Sequence, residues 1–336
     1  LINEANVDYF ATAWVGTPRR PFRLLVDTGS ADIWIPGIYA PDHAHYTLAN
    51  TSTAMSPLSS GSGARQSLRY GSGQVDGFQM TDLISFDSIG SASRVRHPFL
   101  VATQTTDFFN HVSYDGLLGL AFSGASALRP ASPSLVKALV EAKVIDHAVF
   151  SVRYNYMDRI GPLQKRGGEL ILGGWDPRIN SIRWVSVSRP KSSLWDLDLL
   201  AFQATGGSSG TTSALAFGLG HIRVVLDTGT SLAVLPLQDA VRVNEVIGAT
   251  ISSREPGVWM LPCALDSLPD LQIVLSGQAF TLHPKDYVFN PGNDQCISAF
   301  LGNPGLALGR WILGDMWFRA YHTIFDMDRS LIGFGP

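Results

Sequence analysis

Leu24-Leu25-Val26-Asp27-Thr28-Gly29-Ser30-Ala31-Asp32-Ile33-Trp34-Ile35-Pro36 and Val224-Val225-Leu226-Asp227-Thr228-Gly229-Thr230-Ser231-Leu232-Ala233-Val234-Leu235-Pro236 align without gaps at an offset of 200 (227 minus 27). In each, an apolar strand runs into a tight Asp-Thr-Gly turn and a second apolar strand leaves it. A second pair of landmarks follows. In Asp115-Gly116-Leu117-Leu118-Gly119, Gly119 lies 92 residues after Asp27 (119 minus 27), and in Trp311-Ile312-Leu313-Gly314-Asp315, Gly314 lies 87 after Asp227 (314 minus 227). The chain reads as two copies of one plan.

Around these landmarks, Phe150–Tyr154, Glu169–Leu172 and Ile182–Val185 alternate as strands do. Helices are expected to be few and short: Ser134–Ala142, opened by Pro133-Ser134, and Leu237–Ile247. Gly173-Gly174-Trp175-Asp176-Pro177 marks the boundary between copies, giving units of residues 1–178 and 179–336. Gly206-Gly207-Ser208-Ser209-Gly210-Thr211-Thr212 has the composition of an exposed loop.

Composition supports a mainly β protein. The 336 residues suffice for two cores, charged residues make up only 16%, and there are 33 Gly and 19 Pro. The charges comprise 23 Asp to 5 Glu and 20 Arg to 5 Lys, so two good helix formers are scarce. With a formal charge of -3, a phosphate-binding surface would have to come from local clustering that the totals do not show, so nucleic acid is not expected as a partner. No apolar run is long enough for a membrane span, because Asp27 and Asp227 interrupt the two best stretches. The amino terminus, Leu1-Ile2-Asn3-Glu4, has neither the initiator Met nor the basic region of a signal peptide, so a signal or pro-segment is expected to have been removed already. Two cysteines, Cys263 and Cys296, exclude a C-x-x-C metal or redox pair. If bonded, they close a loop worth about 4 kcal/mol in the chain-entropy model and imply an oxidising compartment.

An Asp that ends a buried apolar strand is costly unless partnered. Two such Asp at equivalent places in a duplicated fold meet across a pseudo-two-fold axis. Carboxylates at hydrogen-bonding distance cannot both ionise easily, so they share a proton and hold an acid and a base together. The ionised group can deprotonate a water attacking an amide carbonyl while the protonated one donates to the carbonyl oxygen. That chemistry needs no metal, cofactor or covalent nucleophile. Gly29 and Gly229 permit the tight turns, and Thr28 and Thr228 offer hydroxyls to join them.

Val26-Asp27-Thr28-Gly29-Ser30 with Trp34, Tyr70-Gly71-Ser72-Gly73, Asp115–Gly119, Leu226–Ser231 and Trp311–Asp315 together resemble the pepsin-like aspartic endopeptidases, over essentially the whole chain and in order. The resemblance implies a mainly all-β, bilobal acid-protease fold: two pseudo-two-fold-related lobes, few short helices and an active-site cleft between them. It implies an endopeptidase cutting between hydrophobic residues at acidic pH, with Asp27 and Asp227 as catalytic dyad. Ser30 and Thr230 would bond their outer oxygens, and Thr28, Thr228 and Trp34 would support them. Tyr70 would sit on a β-hairpin flap, its Gly-Ser-Gly context preceding a turn at Asp76-Gly77. Gly29, Gly229, Gly71, Ser72 and Thr230 would contact an extended peptide. Leu25, Tyr70, Phe108, Tyr114 and Leu117 would line the apolar subsite next to the scissile bond, with Val225 and Leu194 on its other side. Leu194 departs from the aromatic residue of pepsin. Cys263 and Cys296 match the family's second-lobe disulfide, and the absence of two small-loop disulfides is more like fungal secreted members. A secreted or vacuolar monomer made as a zymogen follows, with statine-type peptide inhibitors expected to bind and no nucleic-acid or membrane partner.

Other features are set against this reading. Asp32 and Asp315 either tune the dyad's field or are solvated or structural carboxylates. Gly206–Gly210 satisfies G-x-S-x-G but lacks the buried strand of a nucleophile elbow. His43-Ala44-His45 lacks a third metal ligand. Arg19, Arg20 and Arg23 read as a solvated cluster. Asn50-Thr51-Ser52 is an N-glycosylation sequon. A non-catalytic, protein-binding relative would be expected to have a damaged dyad or flap, and both motifs are intact here. A two-carboxylate glycosidase has no need for equivalent Asp-Thr-Gly turns.

Overall fold

A computed structural model describes residues 1–37, 44–55, 64–86, 93–156, 164, 166–189, 193–206, 211–215, 222–253, 255, 257–291 and 295–336. The duplicated motifs fold into matching arrangements. Arg20–Asp27 pairs in parallel with Gly116–Gly119, and Ile33–Pro36 lies antiparallel to that strand with Ile33 opposite Leu118. In the second half, Ile222–Leu226 pairs in parallel with Arg310–Leu313, and Ala233–Pro236 lies antiparallel with Ala233 opposite Leu313. Each trio sits inside its own eight-stranded sheet. Val26, Leu118, Leu226 and Leu313 are fully buried, consistent with continuous apolar runs covered on both faces.

A five-stranded sheet joins the halves. Gly168–Leu172 and Val149–Tyr154 pair into it with His322–Asp326, Leu331–Gly335 and Arg183–Ser186. Every residue of His322–Asp326 is buried, and Thr323 stands opposite Val152. One core cluster runs from Tyr9 through Phe150 and Trp195 to Phe334, so the two halves pack as one body. The mainly β, two-lobed architecture expected from the sequence is the one observed.

The two expected helices occupy Leu135–Glu141 and Leu237–Val246, while Pro284–Tyr287 and Asp315–Ala320 add two more, too short for a periodic signal. Asp76-Gly77 is not a turn. The hairpin turns at Gly71-Ser72, between Gln66–Tyr70 and Gly73–Ser85, and Asp76-Gly77 lies mid-strand at a bulge. A Cβ at Gly77 would meet the Val101 carbonyl oxygen at 2.0 Å, so glycine is there for close backbone approach. Of the expected loop at Gly206–Thr212, Gly206, Thr211 and Thr212 are strand residues, Gly206 opposite Thr211. Residues 207–210, which complete the G-x-S-x-G string, lie outside the described residues, as does His43. Cys263 and Cys296 are bonded, with Cα atoms 5.2 Å apart, and Cys296 lies in a small four-stranded sheet opposite Leu261.

Candidate active site

Each Asp-Thr-Gly turn leaves its apolar strand at the same point and faces the other. The Thr28 N–H donates to Thr228 Oγ1 and the Thr228 N–H to Thr28 Oγ1, both at 3.0 Å. The hydroxyls donate in turn, Thr28 to the Leu226 carbonyl and Thr228 to the Val26 carbonyl, both at 2.8 Å. Four hydrogen bonds in a buried, reciprocal set leave the two turns little freedom to separate. Behind them the Tyr154 hydroxyl donates to the Thr228 carbonyl at 3.4 Å, and its ring stacks on Tyr9 with centroids 3.7 Å apart.

The carboxylates are held with the same symmetry. Asp27 accepts the Gly29 N–H at 2.8 Å on one oxygen and the Ser30 hydroxyl at 2.5 Å on the other. Asp227 accepts the Gly229 N–H at 2.8 Å and the Thr230 hydroxyl at 2.7 Å. A Cβ on Gly229 would lie 2.7 Å from Asp27 Oδ1, so glycine is required where one turn meets the opposite carboxylate. Burial first, then the Asp227 charge and a hydrogen bond shared with Asp227, push the Asp27 carboxyl well above the ordinary range. The Ser30 and Gly29 donors oppose that rise without cancelling it. The pair therefore retains a proton at pH values where a lone Asp would have lost it.

Tyr70 lies on the hairpin immediately before its turn, and Gly71 and Ser72 are exposed at the tip. Burial and the Asp27 and Asp32 charges hold the Tyr70 phenol well above its ordinary range, so it stays neutral. The Trp34 indole N–H acts on the Tyr70 hydroxyl from outside regular hydrogen-bond geometry, and both atoms are otherwise unpaired among the described residues. Leu25, Trp34, Tyr114 and Leu117 belong to a second, smaller apolar cluster on which Tyr70 packs. Phe109, which sequence reasoning missed, is its keystone: buried, 5.3 Å from Trp34 and 6.0 Å from Tyr70 between ring centroids. Phe108 is 47% exposed and meets Phe109 edge-on. Adjacent phenylalanines on a 3-10 turn offer no alternation to tell which faces inward. Val225 is buried in the strand leading to Asp227, and Leu194 lines an open cleft beside Ser30 and Tyr70.

Asp32 and Asp315 are both buried, which removes the solvated reading. Asp32 accepts the Ser126 hydroxyl at 2.5 Å and the Ala127 N–H at 2.7 Å. Asp315 opens its helix below the second turn, its N–H bonded to the Thr230 carbonyl, and burial raises its carboxyl well above the ordinary range. Asp8, raised to about 6 by burial and then by Glu4, adds to Asp315's rise, so an acidic group sits behind Asp227 as well as beside it. Arg23 is not merely solvated: it pairs with Asp115 at 3.2 Å, while Arg19 lies over the Trp14 ring. No group of three or more His, Cys, Asp or Glu that could hold a metal occurs among the described residues.

Comparison with known proteins gives the family. The family described as eukaryotic aspartyl protease matches residues 8–336, and the chain belongs to it. It is 31% identical to a probable vacuolar protease A of Arthroderma benhamiae, over 98% of this chain and 79% of that protein. It is 31% identical to cathepsin D of Bos taurus, over 99% of this chain and 85% of that one. With pepsin A of Sus scrofa identity is 29%, over 100% of this chain and 83% of the other. The protein is thus an aspartic endopeptidase of the pepsin type, and its substrates are peptides.

Proposed function

We propose that Asp27 and Asp227 are the catalytic dyad of this endopeptidase. The observation that carries the reading is that the two carboxyls face each other across the turns, a Cβ on Gly29 lying 2.5 Å from Asp227 Cγ and one on Gly229 2.7 Å from Asp27 Oδ1, with the glycine N–H donors matched on the two sides. One carboxylate takes a proton from water as it attacks the scissile carbonyl, and the carboxyl of its neighbour donates to the oxygen that becomes negative. Collapse of the tetrahedral intermediate returns a proton to the leaving amine and restores the pair. Ser30 and Thr230 fix the outer oxygens. The flap closes over an extended substrate, with Gly29, Gly229, Thr230, Gly71 and Ser72 contacting its backbone.

Leu25, Tyr70, Phe108, Tyr114 and Leu117, with Phe109 behind, form the apolar pocket beside the scissile bond, and Val225 and Leu194 flank its other side. This wall favours Phe, Leu or Met over charged side chains, whose burial without a partner costs several kcal/mol. Statine-type peptides, carrying a hydroxyl where the scissile carbonyl would be, bind as mimics of the tetrahedral state. The division into lobes 1–178 and 179–336 follows the duplication, the shared sheet crossing it. An oxidising compartment suits the disulfide, so the protein acts outside the cell or in a vacuole, as a monomer released from a zymogen. Asn50 is exposed and accessible to glycosylation.

Asp27→Asn and Asp227→Asn test the dyad. Each leaves the turn bonded but only one carboxyl, so peptidase activity falls by at least about 10⁴-fold, the order lost when a group acting as a unit with others is removed. Circular dichroism confirms that the fold persists. Two folded variants with near-wild-type turnover would refute the assignment.

A further inference from the structure

Beside the dyad turn, under the flap hairpin, lies a cleft of about 300 Å³. Ser30, Asp32, Tyr70 and Leu194 line it; it shares Tyr70 and the flanking Leu194 with the apolar pocket but none of Leu25, Phe108, Tyr114 or Leu117. Arg69 stands on its flap side, one residue before Tyr70. The charges around it are unevenly matched. Asp32 is answered on its own side by Ser126, Ala127 and Arg129, and its carboxyl is raised by burial. The neighbouring cation Arg65 is engaged by Gln104 and, at 3.7 Å, by Asp76. Asp76 also accepts from Ser67 and Gln74. The Arg69 side chain, exposed and opposite Gln74 in the hairpin, makes no hydrogen bond and no direct ion pair among the described residues, its charge acting on Asp76 only at longer range.

We propose that Arg69 makes this cleft select a carboxylate side chain of the substrate. The selected residue lies across the scissile bond from the one held by the Leu25–Leu117 wall. This rests on the placement of that wall in the proposed function. A guanidinium at the rim can pair a Glu or Asp side chain bidentately as the flap closes, while Leu194 and the Tyr70 ring cover its methylenes. Closure also removes water from the pair, which strengthens it relative to an open surface contact. A Lys at the same position meets a like charge.

The test is a set of peptides with one apolar scissile site and Ala, Glu, Gln or Lys at each position beyond it. They are assayed at a pH of about 5, above the ordinary glutamate value of about 4.3. Cleavage of the Ala peptide reports on the dyad and the apolar wall, and the Glu to Lys ratio of kcat/KM reports on Arg69. For the wild type the ratio is expected to reach about tenfold at one position, the size of a partly desolvated ion pair. It should fall toward unity in Arg69→Ala and invert in Arg69→Glu, with Gln unaffected by the charge reversal. Equal cleavage of Glu and Lys peptides by the wild type, or a ratio unchanged in Arg69→Ala, would overturn the proposal and leave the dyad standing.

Discussion

A methyl group on the Gly29 Cα would lie 2.5 Å from the Asp227 Cγ and 2.6 Å from each of its oxygens. Asp227 cannot retreat, because the Gly229 N–H and the Thr230 hydroxyl hold it from its own turn. The two glycines thus set the distance between the carboxyls, and the Thr28–Thr228 bonds set the distance between the turns.

Gly29→Ala should therefore separate the carboxyls without unfolding the lobes. Displacement of about 1 Å at reacting groups costs on the order of 10²-fold in rate. Steady-state kinetics on a folded variant checks this, and a loss smaller than tenfold would show that the dyad tolerates a wider gap.

Thr28→Val removes a hydroxyl that accepts the Thr228 N–H and donates to the Leu226 carbonyl, leaving both buried and unpaired. At about 1–3 kcal/mol for each of the two orphaned groups, the loss should be roughly 2–6 kcal/mol. Thr228→Val should behave alike. In a double-mutant cycle by urea denaturation the pair should couple by more than about 0.5 kcal/mol. Additive, near-zero costs would mean that the reciprocal bonds hold nothing together.

His322 bears on acid stability. It is buried in the sheet that joins the halves, and neither ring nitrogen has a hydrogen-bond partner among the described residues. Burial, then the Arg153 charge, lowers it to about 4, against an opposing pull from Asp176. With the folded value below the unfolded one, the unfolded state binds the extra proton. The resulting loss of stability begins as pH falls below about 6.5 and is complete near 4. His322→Gln should flatten that part of the curve, narrowing the drop in Tm between neutral and acid pH by roughly 2–4 °C. An unchanged slope would show that His322 is accommodated as a cation.

The duplication carried most of the fold into view, because a buried strand ended by Asp-Thr-Gly is a local pattern and appears twice. What stayed hidden is non-local. The pairing of Val149–Tyr154 with His322–Asp326 spans half the chain, and nothing in either segment names its partner. The Tyr9–Tyr154 stack behind Thr228 depends on that pairing. Asp32 and Asp315 are ambiguous in the sequence because a lone Asp carries no local signal of the partner that would let it be buried, and only Ser126 and the helix at Asp315 decide against water. Asp76-Gly77 has turn composition, yet the glycine answers a backbone contact from Val101 on the neighbouring strand. Phe108 and Phe109 could be ranked only once Trp34 and Tyr70 stood beside them.

The pH dependence of kcat/KM tests the shared-proton dyad most directly. A mechanism needing one carboxyl protonated and its neighbour ionised gives a bell. Its acid limb marks protonation of the remaining carboxylate and its alkaline limb loss of the shared proton, both belonging to the pair. Because burial and Asp227 raise Asp27, the alkaline limb should lie above the ordinary Asp value of about 3.9, with the whole bell below neutrality. The account predicts an acid-centred bell that is indifferent to chelators and to serine-directed acylating reagents. Activity rising to a maximum at or above a pH of about 7 and abolished by either reagent would contradict it.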